Sequence, residues 1–217
     1  MSRRWIAPLI IVVMFAVTLA AWGSVPETVP THWNASGEVD GWGSRSTLFL
    51  LPVAAALLWG LIVLLWQIGP RKQNLERSSS TWWQVANIVV LMCFGLHVVL
   101  LGAALGWGLD VSRVILVLVG LSLALLGNYM PRLKPNWWMG IRTPWTLEND
   151  DVWRETHRMG GRWMMFGGLA AAAAALLPAP TSTYLFTTIV VVCALVPVVY
   201  SYIAWRRLGG GPRRGRA

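Results

Sequence analysis

Residues 127–148 read GNYMPRLKPNWWMGIRTPWTLE, and this stretch separates two of the apolar runs in the chain. It contains three prolines, three tryptophans, two glycines and three basic residues. Proline at positions 131, 135 and 144 prevents one continuous helix, because its ring removes a backbone N–H donor and clashes with the preceding turn. We therefore predict a rigid, aromatic and basic connector at a membrane boundary, and we take it as the main candidate for a working surface.

The composition indicates a membrane protein. The chain has 217 residues, of which 56% are hydrophobic and only 12% are charged, whereas soluble domains carry about 25% charged residues. The net charge of +9 is interpreted as an orientation signal, so no direct nucleic-acid partner is predicted. Cys93 and Cys193 lie in apolar runs without metal-site spacing, which favours small buried apolar residues.

Six apolar runs approach the length of about 20 residues that crosses a bilayer. They cover residues 5–23, 48–68, 85–105, 114–130, 163–177 and 184–205. The first run is longer than the apolar core of a signal peptide, about 7–15 residues, and is interpreted as a retained anchor. We predict an all-α fold, a polytopic membrane helical bundle with six transmembrane helices embedded in the lipid bilayer.

The distribution of Lys and Arg predicts the orientation of this bundle. A cytoplasmic N-terminus leaves only Arg45 and Arg113 of the 18 basic residues outside, as the positive-inside rule requires. Both termini and the segment 127–148 are then cytoplasmic. We divide the chain into a two-span unit with an ordered outer loop, a four-span unit with a long cytoplasmic loop, and a basic disordered tail. The units cover residues 1–70 (loop 24–47), 71–205 (loop 131–162) and 206–217.

The first outer loop, residues 24–47, is predicted to be compact and ordered. Proline stiffens its start, and the sequences NASG and DG are turn signals. His32, Glu38 and Asp40 lack the paired-histidine spacing of a metal site, which favours a structural or ligand-binding loop. The candidate outer-loop surface consists of Pro30, His32, Trp33, Asn34, Gly37, Asp40 and Gly41.

The cytoplasmic loop is predicted to end in a helix that starts after Asn149 and continues into the fifth apolar run. Asn149 is a favourable N-cap, and the acidic residues 150 and 151 suit the positive end of the helix. Asp150–Arg154 and Glu155–Arg158 are the expected ion pairs. One face is predicted to carry Val152, Trp153, Thr156, Met159, Gly160 and Trp163.

Polar residues also lie within the apolar runs, where ionisable groups are often functional. His97 is the intramembrane candidate, and Asn87 and Asn128 lie nearer the inner face. One alternative is a small transporter or permease that uses these side chains. No intramembrane carboxylate accompanies His97, so a neutral imidazole hydrogen-bonded between helices is the favoured interpretation.

A second alternative is a membrane-embedded enzyme that uses Asp151, Glu155 and His157. The two carboxylates are neighbours at helical spacing, but His157 points elsewhere. No second histidine follows His157 four positions later. We therefore predict no catalytic residue set, no metal site and no cofactor.

The motifs NYMP, KPN, GIRTPWTL, TH and GGR between residues 128 and 162 resemble the signature of the SdpI immunity-protein family. The outer-loop motifs PTHWN and GEVDGWG resemble a membrane domain of unknown function that often precedes the SdpI module. The candidate functional surface in the cytoplasmic loop is Asn128, Pro131, Lys134, Pro135, Asn136, Gly140, Arg142, Thr143, Pro144, Trp145, Trp153, His157 and Arg162.

This resemblance implies a non-enzymatic bacterial membrane protein of immunity or sensing type. It implies protection against a secreted toxic peptide outside the cell. It also implies a transcriptional repressor held at the membrane from the cytosol. The residues themselves indicate neither the toxin nor an oligomeric state.

Overall fold

The computed structural model describes residues 3–211 as a bundle of long helices joined by short connections. The helices are α1 Ile6–Ala21, α2 Leu50–Ile68, α3 Lys72–Arg77, α4 Ser79–Ala104, α5 Val111–Tyr129, α6 Pro144–Glu148, α7 Asp150–Ala174 and α8 Thr181–Arg207. Short 3₁₀ helices cover Arg3–Trp5, Arg45–Phe49 and Met130–Arg132, and two strands are β1 Thr28–Trp33 and β2 Val39–Ser44.

Four helical segments within residues 3–211 are long and apolar enough to cross a membrane: Arg45–Ile68, Ser79–Ala104, Val111–Arg132 and Thr181–Arg207. Helix α1 is apolar but shorter, at 16 residues. Helix α7 is long enough, but its first half carries charged residues of the predicted cytoplasmic loop. The helical membrane bundle is therefore confirmed, while the crossing of α1 and α7 stays a prediction.

A β-hairpin in the predicted first outer loop adds two short strands to the helical bundle. Strands β1 and β2 pair antiparallel from Thr28 opposite Ser44 to Trp33 opposite Val39, with irregular register around His32. Only Val29 of the hairpin is buried, where it packs near Leu48. The period-2 alternation that reveals a half-buried strand is therefore missing from this loop.

Helices α5 and α7 pack with their backbones in contact along a seam of glycines. Gly120 and Gly127 on α5 face Gly161 and Gly168 on α7, and each pair is seven residues apart, which is two helical turns. A Cβ atom on Gly127 would lie 2.5 Å from the backbone nitrogen of Met165. Any larger residue would push the helices apart, so this seam fixes α7 and the loop before it.

The two ends of the bundle differ in structure. One end holds the hairpin, which the start of α8 contacts where Thr183 Oγ1 donates to the carbonyl oxygen of Ala35 at 3.0 Å. The other end holds α3, residues 130–149 and the end of α8, where Asn149 Nδ2 donates to the carbonyl oxygen of Gly211 at 3.1 Å. Arg206 and Arg207, the first two residues of the predicted tail, are the last two residues of α8. Residues 212–217 of that tail lie outside the described residues.

Candidate functional site

The candidate site is the polar end of the bundle formed by residues 130–162, which we call the cap. Asn136 organises its first half. Its side chain is 2% exposed. Its Oδ1 accepts from the backbone N–H groups of Trp138 and Met139 at 2.8 Å each. Its Nδ2 donates to the carbonyl oxygens of Lys134 and Met139 at 2.9 and 3.1 Å. All four hydrogen-bonding positions of the amide are used, so this loop has one defined conformation.

His157 of α7 joins the two halves of the cap. The side chain is fully buried. Its Nδ1 lies 2.9 Å from the carbonyl oxygen of Trp153, and its Nε2 accepts from the backbone N–H of Ile141 at 3.0 Å. A carbonyl only accepts and an N–H only donates, so these partners select the neutral Nδ1–H tautomer. Burial lowers the pKa of His157 to about 4, against which the hydrogen bond to Trp153 acts.

Two contacts surround this histidine and restrict the backbone nearby. The rings of Trp153 and His157 stack at a centroid distance of 3.9 Å, and Trp153 Nε1 donates to the carbonyl oxygen of Leu133 at 2.8 Å. Gly140 passes over the imidazole with a φ of +111°, and a Cβ there would lie 2.3 Å from His157 Nε2. Glycine is therefore required at position 140 for conformation and for space.

Helix α6 is fixed to α8 by the motif Thr143-Pro144-Trp145-Thr146. Thr143 and Thr146 form a reciprocal capping box, and Pro144 occupies the first turn, where its missing N–H has no intrahelical partner. Thr143 Oγ1 also donates to Ser201 Oγ at 3.0 Å. Trp145 packs on Tyr202 of α8 at a ring distance of 5.1 Å.

The acidic residues at the start of α7 are paired differently from the prediction. Arg71, just before α3, binds Asp150 Oδ1 at 3.0 Å and also reaches the carbonyl oxygen of Leu147. Arg154 pairs with Asp151, and Arg207 of α8 pairs with Glu155. Distant segments supply Arg71 and Arg207, so spacing along α7 could not reveal these pairs. Asn149 is the N-cap of α7 as predicted, and α7 continues into the fifth apolar run.

The predicted cytoplasmic surface divides into an interior and an exterior part. The buried members are Pro135, Asn136, Thr143, Trp153 and His157, with Trp145 half-buried. The exposed members are Asn128, Pro131, Lys134, Gly140, Arg142, Pro144 and Arg162. Among these, Arg142 donates to the carbonyl oxygen of Trp137 at 2.8 Å.

Four members of the predicted face of α7 are buried: Val152, Trp153, Thr156 and Gly160. His157 and Gly161 are buried beside them, whereas Trp163, which is also predicted for this face, is 44% exposed.

Sequence reasoning also missed Asn74 of α3, whose Nδ2 donates to the carbonyl oxygen of Pro135 at 2.9 Å. No local pattern marks Asn74, because its partner lies 61 positions away.

The hairpin end carries a second candidate site. Asn34 Oδ1 accepts from the N–H groups of Ser36 and Glu38 at 2.9 and 3.0 Å, and His32 Nδ1 bonds Asp40. Beneath the hairpin lies a cavity of about 530 Å³. Its lining combines hairpin residues with apolar residues of the helices: Thr31, His32, Trp33, Leu96, Val99 and Ile115. Within residues 3–211, no three His, Cys, Asp or Glu side chains cluster as metal ligands.

The two alternative sets of functional residues have defined surroundings. His97 is buried, and its Nε2 lies 2.9 Å from Thr18 Oγ1, which donates to the carbonyl oxygen of Met14. His97 Nε2 therefore donates and links α4 to α1. Asp151, Glu155 and His157 do not converge, because each contacts a different partner.

Apolar helices of membrane-spanning length and a tryptophan-rich polar cap define a multi-pass membrane protein. Residues 132–201, which hold most of the cap, match the model of the SdpI/YfhL protein family. Residues 9–56 match that of a domain of unknown function, DUF1648. The chain is therefore similar to the SdpI/YfhL family over residues 132–201, and it is a multi-pass bacterial membrane protein.

Two curated relatives show how far this similarity extends. The chain is 21% identical to the "Immunity protein SdpI" of Bacillus subtilis (strain 168), over 97% of this chain and 99% of the relative. It is 36% identical to an "Uncharacterized protein" of Archaeoglobus fulgidus over 25% of this chain and 30% of that protein. These similarities point to an immunity-protein family and not to an enzyme family. No solved structure matches the chain.

Proposed function

We propose that the protein is a non-enzymatic membrane protein of immunity type, which protects the cell against a secreted antimicrobial peptide. The cavity of about 530 Å³ beneath the hairpin carries this proposal. Its apolar helix walls and its rim of Trp33 and Asn34 suit an amphipathic peptide. Similarity over nearly the whole chain to a protein named as an immunity protein supports the same function.

The proposed topology has six membrane crossings, with both termini and the cap in the cytoplasm and the hairpin outside. The basic residues support it, because Arg71, Lys72 and Arg132 lie at the cap end. Among the lysines and arginines of residues 3–211, only Arg45 and Arg113 lie at the hairpin end. Helix α7 has 25 residues, so it can place its first turns in the cap and still cross most of the bilayer. We retain the division into units of residues 1–70 and 71–205.

Blocking the cavity tests the peptide site. Ile115 lines the cavity on α5, whereas Leu121 on the same helix is 44% exposed and lies outside the cavity lining. Ile115→Trp should remove protection in a peptide-sensitive bacterial strain, and Leu121→Trp should preserve it. Survival is measured against a panel of secreted antimicrobial peptides, with membrane levels of each variant as the control. Unchanged sensitivity of the strain with and without the wild-type protein across the panel would reject immunity.

We also propose that the exposed basic residues of the cap hold a soluble transcriptional repressor at the membrane. Lys134 and Arg142 are exposed at this end, and their positive charge suits an acidic protein surface. The double variant Lys134→Glu/Arg142→Glu should release the repressor from purified membranes, whereas Arg113→Glu at the hairpin end should not. The repressor proposal is rejected if membranes with the wild-type protein and membranes with the double variant retain the same cytosolic proteins.

A further inference from the structure

Two adjoining grooves run between α7 and α8 where the cap meets the apolar part of the bundle. The first has a volume of about 410 Å³, and Arg158, Arg162, Tyr200 and Arg207 contribute to its lining. The second has a volume of about 570 Å³ and is lined mainly by apolar groups, among them Phe166, Ala170 and Val192. Arg162 and Trp163 line both grooves, so the two form one continuous surface.

The polar groove carries positive charge that the described residues do not neutralise. Glu155 is the acidic residue in its lining, and it pairs with Arg207. Arg158 and Arg162 are exposed and have no ion-pair partner among residues 3–211. They are four residues apart on α7, so they are neighbours on one helix face, where like charges repel. An anion between the two guanidinium groups would relieve this repulsion with charge-assisted hydrogen bonds.

We propose that this composite groove binds one anionic phospholipid. Its phosphate lies between Arg158 and Arg162, its glycerol region lies beside Trp163, and one acyl chain follows the apolar groove past Phe166 and Ala170. Along α7, the arginines come first, then the indole of Trp163 and then the apolar surface. A phospholipid has its charged headgroup, interfacial region and acyl tail in the same order. The nine residues from Arg162 to Ala170 cover about 12 Å of helix, which accommodates the upper half of an acyl chain.

The apolar groove favours a complete lipid over a free phosphate or an acidic protein segment. Its floor is close to the helix backbone, because a Cβ on Gly167 would lie 2.1 Å from Cys193 Sγ. A free anion would leave this apolar surface unused. The inference rests on the proposed topology only in placing the arginines at the cytoplasmic surface, and lipid binding can be measured in detergent whatever the orientation.

Native mass spectrometry of the purified full-length protein tests the proposal. The protein is titrated with palmitoyl-oleoyl phosphatidylglycerol or with phosphatidylcholine of the same acyl chains. The wild type should bind one phosphatidylglycerol in preference to phosphatidylcholine. Arg158→Gln/Arg162→Gln should weaken phosphatidylglycerol binding by about 30-fold, as expected when two basic residues near a lipid headgroup are neutralised.

Two controls separate a local site from general attraction. Arg132→Gln/Arg206→Gln removes the same charge from exposed arginines that stack on Tyr129 and bond Tyr202, and it should leave binding unchanged. Ala170→Trp fills the apolar groove and should weaken phosphatidylglycerol binding with both arginines present. Equal losses in the two double variants, equal binding of both lipids, or full binding by Ala170→Trp would each overturn the proposal. Thermal melting of each variant in detergent verifies that it is folded.

Discussion

The hairpin and the cap are built from the same local parts in different surroundings. Each has an asparagine whose Oδ1 accepts two backbone N–H groups, Asn34 in the hairpin and Asn136 in the cap. A glycine with positive φ follows each asparagine, at +85° for Gly37 and +111° for Gly140. The histidines differ most: the side chain of His32 is 71% exposed, whereas His157 is fully buried.

This comparison shows that burial, and not residue type, sets the energetic importance of a motif. A hydrogen bond at an exposed turn replaces one to water, so its net contribution is small. A buried donor or acceptor that loses its partner has no water to replace it. We therefore expect matched substitutions to be tolerated in the hairpin and costly in the cap, which agrees with the proposed roles of a fixed cytoplasmic surface and an adaptable outer one.

The largest expected loss of stability occurs at one of the two positive-φ glycines. An alanine at either position would be strained by about 1–2 kcal/mol, because its Cβ disfavours a positive φ. At position 37 the new Cβ would lie 3.5 Å from Ser112 Oγ, an ordinary contact, but at position 140 it would lie 2.3 Å from His157 Nε2. Gly140→Ala should therefore lower the free energy of unfolding by about 4 kcal/mol, since it also displaces a buried hydrogen-bonded ring. Unfolding in detergent measures both variants, and equal losses would contradict this account of the cap.

The two histidines should differ by a similar amount, with a smaller loss in the cap. His157→Ala leaves the N–H of Ile141 and the carbonyl oxygen of Trp153 without their side-chain partner and opens a cavity, so we expect a loss of about 3 kcal/mol. His32→Ala removes an exposed contact with Asp40 and should change stability by less than about 0.5 kcal/mol. A hairpin variant as unstable as the cap variant would show that the hairpin is also a rigid structural element.

The low pKa of His157 predicts how the stability of the cap depends on pH. The pKa is about 4 in the folded protein against an ordinary value of 6.5. Between these values the unfolded chain binds a proton that the folded protein excludes, so stability falls as the pH is lowered from 6.5 towards 4. The full loss is about 3 kcal/mol. Wild type and His157→Asn are compared by unfolding at several pH values, and the variant should lack this component. Parallel curves would refute the assignment to His157.

The sequence predicted the features that depend on neighbouring residues. Apolar runs located the long helices, proline interrupted the helix after α5, and Asn149 marked the start of α7. These features follow from local backbone chemistry, which the chain displays directly. The same reasoning indicated a turn near Asn34 but not the strands around it, because Pro30 and an irregular register disturb the alternation of buried and exposed residues.

The internal contacts of the cap could not be predicted in this way. Arg71 binds Asp150 from 79 positions away, and Ser201 meets Thr143 from 58 positions away. The predicted pairing within α7 was reasonable for an isolated helix but ignored α3 and α8. His157 was assigned to a working surface, whereas it lies inside the cap, because two backbone groups satisfy both of its nitrogens.

The two asparagines give the smallest expected difference and the most specific test. Asn136→Ala leaves two backbone N–H groups without a partner in the cap and should cost about 2 kcal/mol, whereas Asn34→Ala in the more exposed turn should cost about 1 kcal/mol.

Aspartate at the same two positions separates the accepting from the donating role of the asparagine, because it keeps the accepting oxygen and removes the donors. In the cap, Asn136→Asp would place a carboxylate beside the carbonyl oxygens of Lys134 and Met139, so it should be at least as harmful as alanine. In the hairpin, Asn34→Asp would lose only the hydrogen bond to Glu38. The new carboxylate would repel the carboxylate of Glu38, but solvent screens charges at this exposed turn, so the loss of stability should be small. Unfolding of the four variants in detergent decides the point: if Asn136→Asp is milder than Asn136→Ala, the two donated bonds do not hold the cap, and its rigidity depends on His157 and Gly140 instead.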